Sequence, residues 1–181
     1  MIRPPIRFAT ARLLARLPRA DDAPAVFAAY ASDPAVTRYL AWKPYERPEP
    51  LAAFLREAAA NWEQRHGPFT WLFCLKGTDT PIGSIGVTLE PAQQRALFGY
   101  VLAKKFWGHG FTAEVLTYLV DWSLAQPGIQ RAWAYCDVEN PTSARVMEKA
   151  GMTREGVLRR WHACPSIGPE MRDCIVCAKV K

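Results

Sequence analysis

The sequence predicts an α/β (α+β) fold made of one domain over residues 1–181. Runs rich in β-branched and aromatic residues, typical of strands, alternate along the chain with longer segments whose apolar residues recur at helical spacing. Half of the 181 residues are hydrophobic and 22% are charged, which is an ordinary globular composition. A chain of this length can bury a substantial core.

The first half of the chain predicts two helices and three strands. The acidic pair Asp21-Asp22 suits the start of the first helix, because carboxylates are favoured at a helix N-terminus. A loop rich in aromatic residues and proline, residues 42–45, precedes the second helix. The predicted strands are residues 12–17, 69–76 and 82–90, and the predicted helices are residues 21–31 and 50–65.

The second half predicts four strands and two helices. Asn140 has the side chain of a helix N-cap, and Pro141 stands at the first helical position. Gly151 is placed as the C-terminal stop of the same helix. The predicted strands are the one that carries Tyr100 and residues 132–138, 153–160 and 171–180, and the other predicted helix is residues 112–126.

A glycine turn, Gly108-His109-Gly110, joins a predicted strand to a predicted helix. Glycine allows close approach of a ligand to the backbone, and the first amides of a helix point outward without internal partners. Lys104 and Lys105 add positive charge beside the helix dipole. The turn lacks the Gly-Lys-Ser/Thr ending of a P-loop and the third glycine of a Rossmann motif. It therefore predicts a pocket for a phosphorylated cofactor of another class, or a tight turn without a ligand.

The charge balance is basic, with 23 Lys and Arg against 17 Asp and Glu, a net charge of +6. The cations are spread out and form no block of like charges, which is typical of a solvated surface, and a cofactor site needs only a few of them. The chain contains no apolar run long enough to span a membrane and no apolar signal core at its N-terminus. We expect a cytoplasmic protein without a nucleic-acid or membrane partner.

The five cysteines have irregular spacing, which argues against a disulfide framework. Cys174 and Cys177 have the spacing of a metal or redox pair. They lie on a predicted strand, however, where residues three apart point to opposite faces. We therefore expect no metal site there.

The glycine turn and the helix after Asn140 together resemble the GNAT acetyltransferase superfamily, and within it the RimJ/RimL-type branch. Residues 107–114 read Trp-Gly-His-Gly-Phe-Thr-Ala-Glu, and residues 140–151 combine Asn-Pro-Thr-Ser with Glu-Lys-Ala-Gly. Shorter matches are Thr10-Ala-Arg12-Leu, Asp33-Pro34 followed by Thr37-Arg38-Tyr39-Leu40, and Glu155-Gly156-Val-Leu-Arg159. The resemblance covers nearly the whole chain.

The resemblance implies the GNAT fold: a mixed, mostly antiparallel sheet of six to seven strands, with helices on both faces. The two central strands, at Tyr100 and Tyr135, should splay apart to admit a pantetheine arm. It also implies an acetyl-CoA-dependent N-acetyltransferase that needs no metal, acts as a monomer or homodimer and acetylates a primary amine in a ternary complex. The acceptor is a protein N-terminus, an aminoglycoside-like polyamine or another small amine.

The resemblance also implies roles for individual residues. The backbone amide of Leu102 polarises the thioester, and Ser143 serves the leaving thiolate. The implied cofactor-binding residues are Tyr100, Val101, Leu102, Trp107, Gly108, His109, Gly110, Phe111, Thr112, Ala113, Asn140 and Ser143. The implied acceptor-site residues are Trp42, Tyr45, Trp161 and His162, of which His162 is also a candidate general base. Core packing of the aromatic residues and a surface position for His162 are the alternatives.

One position departs from the superfamily pattern. Many GNAT enzymes protonate the thiolate with a tyrosine seven residues after the motif asparagine, and Met147 occupies that position here. The serine three residues after the asparagine, Ser143, is the donor that the RimJ/RimL-type branch offers. The alternative role for Ser143 is to cap its helix.

Two other classes of function remain open on the sequence. A catalytically inactive GNAT fold could serve as an acyl-CoA sensor or interaction module, and the absence of turnover with any amine would distinguish it. A basic nucleic-acid-binding protein with a chance glycine turn would bind DNA or RNA with steep salt dependence.

Overall fold

The computed structural model describes residues 2–65 and 67–181. His66, to which the sequence assigns no role, lies outside the described residues. The strands are β1 (Phe8–Ala9), β2 (Leu13–Arg16), β3 (Pro68–Leu75), β4 (Pro81–Glu90), β5 (Arg95–Leu102), β6 (Arg131–Asp137), β7 (Thr153–Ala163) and β8 (Met171–Val180). The helices are α1 (Ala23–Val26), α2 (Pro34–Thr37), α3 (Pro48–Gln64), α4 (Phe111–Ala125) and α5 (Pro141–Lys149). A π-helical turn over Phe27–Ala31 continues α1.

The strands form one eight-stranded sheet in the order β1-β2-β3-β4-β5-β6-β8-β7. Every neighbouring pair is antiparallel except β5 and β6, which run parallel. This arrangement confirms the predicted mixed, mostly antiparallel sheet. The strand beyond the expected six or seven is β1, a two-residue segment that pairs with β2 and is too short to produce a sequence pattern of its own.

Helices cover both faces of the sheet, as the alternation of side chains along β3 shows. Trp71 and Phe73 belong to the same buried cluster as Val115 of α4 and Met147 of α5. Leu72, which lies between them, packs instead into the cluster built around α1 and α3. Successive side chains of a strand point to opposite faces, so α4 and α5 lie on one face and α1 to α3 on the other.

The two central strands β5 and β6 separate after a short paired stretch. Their parallel register covers only residues 95–97 against residues 131–133. Both strands continue beyond it, β5 to Leu102 and β6 to Asp137, so their carboxyl ends diverge. The expected splay between the central strands is confirmed, and it opens the sheet near its middle.

Strand β7 and helix α2 depart most from the sequence prediction, whereas other element ends differ by one or two residues. Strand β7 continues to Ala163 beyond a break in register after Leu158, where Arg160 takes a φ of 47° and donates its amide to Asp173 Oδ1 at 2.8 Å. Helix α2, which is absent from the predicted helices, starts at Pro34, because Asp33 caps it by accepting the amide of Ala35.

No helix within residues 2–65 and 67–181 combines the length and the apolar character that crossing a bilayer requires.

Candidate active site

A cavity of about 1780 Å³ occupies the gap between β5 and β6 and continues across the face covered by α1 to α3. Tyr100 and Leu102 of β5 line it on one side of the gap, and Tyr135 and Cys136 of β6 line it on the other. The divergence of two parallel strands removes the hydrogen bonds that would join them. The unpaired strand edge is therefore available to an extended ligand.

The glycine turn borders this cavity and ends in an open helix N-terminus. Gly108 and Gly110 have φ angles of 82° and 78°, the left-handed region that favours glycine. Gly110 is the N-cap of α4 and offers no side chain to the first amides of the helix. The amides of Phe111, Thr112 and Ala113 thus remain available to an anionic ligand.

The other side chains of this turn stabilise the turn itself. His109 directs Nδ1 at the carbonyl oxygen of Trp107, 2.9 Å away, and stacks its ring on Phe111 at a centroid distance of 5.7 Å. Its side chain does not line the cavity, whereas Lys104 does. The Trp107 indole donates to the Leu102 carbonyl at 2.8 Å, which joins the turn to the end of β5.

The backbone amide of Leu102 faces the gap. The next residue, Ala103, donates its amide to the carbonyl of Ile82 on the β4 side at 2.9 Å. Hydrogen-bonding groups of successive residues alternate between the two edges of a strand, so the amide of Leu102 points away from β4. A thioester carbonyl lying in the gap could accept its hydrogen bond.

Helix α5 begins at the opposite side of the gap, and Asn140 is its cap. The Asn140 Oδ1 atom accepts the amide of Ser143 at 3.2 Å, and Pro141 occupies the first helical position. The Nδ2 group of Asn140 makes no hydrogen bond to the described part of the protein, and Asn140 lines the cavity with Ser143. It can therefore donate to a bound ligand.

The hydroxyl of Ser143 is paired with a tyrosine that the sequence did not connect with it. The Tyr100 Oη atom lies 2.8 Å from Ser143 Oγ and 3.0 Å from the Ser143 carbonyl oxygen. Burial raises the pKa of Tyr100, so its hydroxyl keeps its proton at neutral pH. Burial also raises the pKa of the neighbouring Cys136 to about 11, which keeps that thiol neutral.

Aromatic side chains line the part of the cavity on the face of α1 to α3. Trp42 and Tyr45, in the segment between α2 and α3, pack with ring centroids 5.5 Å apart. Phe54 of α3 lies in the same lining and keeps 48% of its surface exposed. Two expected acceptor-site residues, Trp42 and Tyr45, are thus placed in one groove.

The other two expected acceptor-site residues separate in the structure. His162 lines the cavity, and its Nδ1 atom lies 3.3 Å from the Tyr135 hydroxyl. Trp161 lies outside the lining and packs edge-on against Tyr135 at 6.1 Å. Adjacent residues of a strand point to opposite sides, so only one of the two can face the cavity. Burial lowers the pKa of His162, which favours the neutral imidazole at neutral pH.

Two paired glycines form part of the cavity lining where β4 meets β5. Gly86 of β4 pairs directly with Gly99 of β5, and both line the cavity. A Cβ atom added at Gly99 would meet no atom within 4 Å. The pairing could not be foreseen, because it depends on the register between two strands.

Among the residues that the structure describes, no three His, Cys, Asp or Glu side chains cluster in a way that could hold a metal ion. The five cysteines are all buried and unbonded to one another.

The profile of the "Acetyltransferase (GNAT) domain" family matches residues 12–153. The chain is 32% identical over 153 residues to the Uncharacterized N-acetyltransferase YoaA of Bacillus subtilis strain 168, which covers 84% of this chain and 85% of YoaA. Among solved structures, it is similar to a GNAT-family acetyltransferase from Bacillus anthracis, with 25% identity, a TM-score of 0.82, and coverage of 96% of this chain and 98% of that one. The fold of RimL, a ribosomal L7/L12 α-N-protein acetyltransferase solved with coenzyme A, is also similar, with 21% identity, a TM-score of 0.81, and coverage of 97% and 96%.

Proposed function

Because this chain belongs to the GNAT acetyltransferase family, we propose that it transfers the acetyl group of acetyl-CoA to a primary amine in a ternary complex. The proposal treats residues 1–181 as a single N-acetyltransferase domain. The observation that carries it is the cavity between the diverging strands β5 and β6, which is bordered by an open helix N-terminus and continues into an aromatic groove.

The cofactor lies along the gap in this proposal. Its pyrophosphate accepts hydrogen bonds from the amides between Gly108 and Ala113, where the dipole of α4 favours negative charge. Its pantetheine arm runs beside residues 100–102 of β5 as an added strand, and the Nδ2 group of Asn140 donates to it. The protein's residues supply every contact, and the proposal involves no metal.

The chemistry is a direct acyl transfer. The amine nitrogen attacks the carbonyl carbon of the thioester, the carbon–sulfur bond breaks, and the acetyl group leaves sulfur for nitrogen. The amide of Leu102 stabilises the negative charge that develops on the carbonyl oxygen. The amine loses one proton, and the CoA thiolate gains one.

Ser143 donates a hydrogen bond or a proton to the leaving thiolate, since Met147 has no proton to donate. A serine hydroxyl is a weak acid, and the Tyr100 hydroxyl strengthens it as a donor when the tyrosine proton points at Ser143 Oγ, 2.8 Å away, instead of at the Ser143 carbonyl. The neutral imidazole of His162 is the proton acceptor in the acceptor groove, because its depressed pKa leaves it unprotonated at neutral pH.

The acceptor is a protein N-terminal α-amine or a small amine. The motif at residues 107–114 supports a place in the RimJ/RimL-type branch, and with it a peptide α-amine. The open aromatic groove around Trp42 and Tyr45 is compatible with either acceptor.

Cofactor binding is tested by thermal unfolding. At a hundredfold excess over its dissociation constant, acetyl-CoA should raise the Tm by roughly 5 to 10 °C, because it binds only the folded state. Gly110→Asp should abolish this shift by placing a carboxylate against the phosphates. Gly128→Asp is the matched control, since Gly128 has a similar φ of 81° and no atom within 4 Å of its added Cβ. Its shift should equal that of the wild type.

Transfer is tested with peptides and amine antibiotics, by following thiol release and identifying the product by mass spectrometry. We expect acetylated amine in equal amount to released thiol. Thiol release without an acylated amine, or binding without release, would support an acyl-CoA sensor instead. A wild-type protein whose Tm does not respond to millimolar acetyl-CoA would refute the proposal itself.

A further inference from the structure

Two motif segments that lie about a hundred residues apart in the sequence meet at the glycine turn. Thr10 and Arg12 flank the turn between β1 and β2, and Glu114 lies in the first turn of α4. Glu114 Oε1 accepts hydrogen bonds from Thr10 Oγ1 at 2.5 Å and from the Arg12 amide at 2.8 Å. Glu114 Oε2 accepts the Arg12 Nε group at 2.7 Å. We call Thr10, Arg12 and Glu114 the N-terminal clamp.

The clamp continues directly into the backbone of the glycine turn. Arg12 Nη1 donates to the carbonyl oxygen of His109 at 3.0 Å. The guanidinium carbon of Arg12 also lies 4.5 Å from the ring centroid of Phe111. Arg12 therefore contacts the residues on both sides of Gly110, which has no side chain of its own to hold it in place.

Because the peptide group is rigid, fixing the His109 carbonyl also fixes the direction of the Gly110 amide. The His109 carbonyl and the Gly110 amide belong to the same planar, trans peptide group, so they point in opposite directions. With the carbonyl held toward Arg12, the Gly110 amide points away from it. A free glycine turn would sample other orientations, because glycine is the least restricted residue.

The clamp residues act from outside the cavity. Gly108, Gly110 and Phe111 line the cavity, whereas Arg12 and Glu114 do not. Partial burial acts to raise the pKa of Glu114, but hydrogen bonds from Thr10 and Arg12 outweigh it and hold the pKa below its usual value. Glu114 is thus ionised at neutral pH and keeps its ion pair with Arg12.

We propose that the N-terminal clamp is a positioning device for the cofactor's pyrophosphate: Arg12, held by ionised Glu114, fixes the glycine turn in the conformation that binds the phosphates. The inference rests on the proposed function, since it assumes that coenzyme A occupies the gap. It assigns a role to the Thr10-Ala-Arg12 and Glu114 motif residues, which make none of the contacts in the reaction itself.

The test compares ligands with and without the pyrophosphate. Dissociation constants of CoA, of 3′-dephospho-CoA and of pantetheine are measured by calorimetry for the wild type, Arg12→Gln and Glu114→Gln. We expect both variants to bind CoA and 3′-dephospho-CoA roughly tenfold to a hundredfold more weakly, the cost of losing a hydrogen bond to a charged group. Pantetheine, which lacks the pyrophosphate, should bind all three proteins equally.

A second ion pair supplies the matched control. Arg131 and Glu155 form another partly exposed, two-bond ion pair between β6 and β7, away from the glycine turn. Glu155→Gln should leave all three dissociation constants unchanged. Circular dichroism and the Tm establish that each variant is folded, and Glu114→Gln, which preserves the side-chain shape, keeps the test valid if Arg12→Gln is unstable.

The outcomes separate the clamp from the proposed function. Equal weakening of CoA and pantetheine, or a lower Tm with unchanged affinities, would overturn the clamp and leave only a structural ion pair. A wild type that binds neither CoA nor 3′-dephospho-CoA would instead refute the proposed function.

Discussion

The hydroxyls of Tyr100 and Ser143 lie 2.8 Å apart where β5 and β6 separate. Sequence reasoning left two roles for Ser143, helix cap or proton donor. In the structure the Asn140 side chain caps the helix by accepting a hydrogen bond from the Ser143 amide. The Ser143 hydroxyl is therefore not used for capping; it lies in the cavity lining with the Tyr100 hydroxyl as its hydrogen-bond partner.

Ser143→Ala should lower kcat by roughly ten- to a thousandfold, the range for removal of a proton donor or a single stabilising donor. Tyr100→Phe should lower it less, by about fivefold to tenfold, because only the supporting hydrogen bond is lost. The dissociation constant of acetyl-CoA and the Tm are measured beside the rate. The double variant should be no slower than Ser143→Ala, since the two groups act as one unit.

A buried serine elsewhere is the control for this pair. The Ser123 hydroxyl donates within α4 to the carbonyl of Val120, so Ser123→Ala should not change kcat. Unchanged turnover in Ser143→Ala, or a loss fully accounted for by weaker acetyl-CoA binding, would show that another group protonates the thiolate.

At the scale of the secondary-structure elements, β4 and β5 carry no side chain at two paired positions, Gly86 and Gly99, which line the cavity. Leu97 and Val101 flank Gly99 on the same face, where Val101 packs into the cluster around α1 and α3. Gly99 itself is exposed although it lies on a central strand. A side chain added there would extend into the cavity without disturbing the sheet.

Gly99→Leu should raise the KM of the acceptor amine by roughly tenfold or more, because the new side chain extends into the cavity. The KM of acetyl-CoA should change far less, because the proposed pantetheine path uses the backbone edge of residues 100–102, whereas a side chain at Gly99 projects from the face of the sheet. Steady-state kinetics with each substrate varied in turn measures both constants. Gly156→Leu on β7 is the control, because its added Cβ also meets no atom within 4 Å and Gly156 does not line the cavity. Equal effects of the two substitutions would contradict this prediction.

At the scale of the whole molecule, an ion pair joins the end of β6 to the start of β8. Arg172 contacts Asp137 through Nε and, at 3.1 Å, through Nη2, and it also reaches Glu139 at 2.9 Å. Asp137 is 2% exposed. Burial acts to raise the pKa of Asp137, but the hydrogen bond and charge of Arg172, together with the Glu139 amide, outweigh it and the pKa is lowered.

Arg172→Leu should lower the free energy of unfolding at pH 7 by about 3 to 5 kcal/mol, because it leaves a buried carboxylate without its partner. The pKa of Asp137 is lower in the folded state than its unfolded value of about 3.9. The pair therefore stabilises the fold fully above that unfolded value, and the stabilisation is lost as pH falls through the folded-state pKa. The difference in the free energy of unfolding between wild type and Arg172→Leu should therefore decrease toward pH 3. Urea unfolding at several pH values measures it.

Glu139→Gln is the control for the ion pair. It removes the charge of Glu139, the partner of Arg172 whose side chain is 58% exposed. It should change the free energy of unfolding by less than about 1 kcal/mol. A difference between wild type and Arg172→Leu that stays constant from pH 7 to pH 3 would show that packing, and not the charge pair, accounts for the loss.

The sequence by itself determined the features that depend on near neighbours along the chain. The order of the strands and helices follows from the spacing of apolar residues, and the Asn140 cap with Pro141 behind it is a local backbone interaction. The uncapped N-terminus of α4 after Gly110 also depends only on neighbouring residues, because a glycine turn directly precedes the helix. Family membership came from these same motifs.

Only the tertiary structure decided which distant residues meet. The Tyr100–Ser143 contact, the Arg12–Glu114 pair and the Gly86–Gly99 pairing each join residues from different elements, and each depends on strand register or helix docking. Trp161 and His162 are neighbours in sequence, yet only His162 lines the cavity, because adjacent strand residues face opposite ways. Spacing in sequence sets local geometry, whereas long-range packing sets which side chains share a cavity.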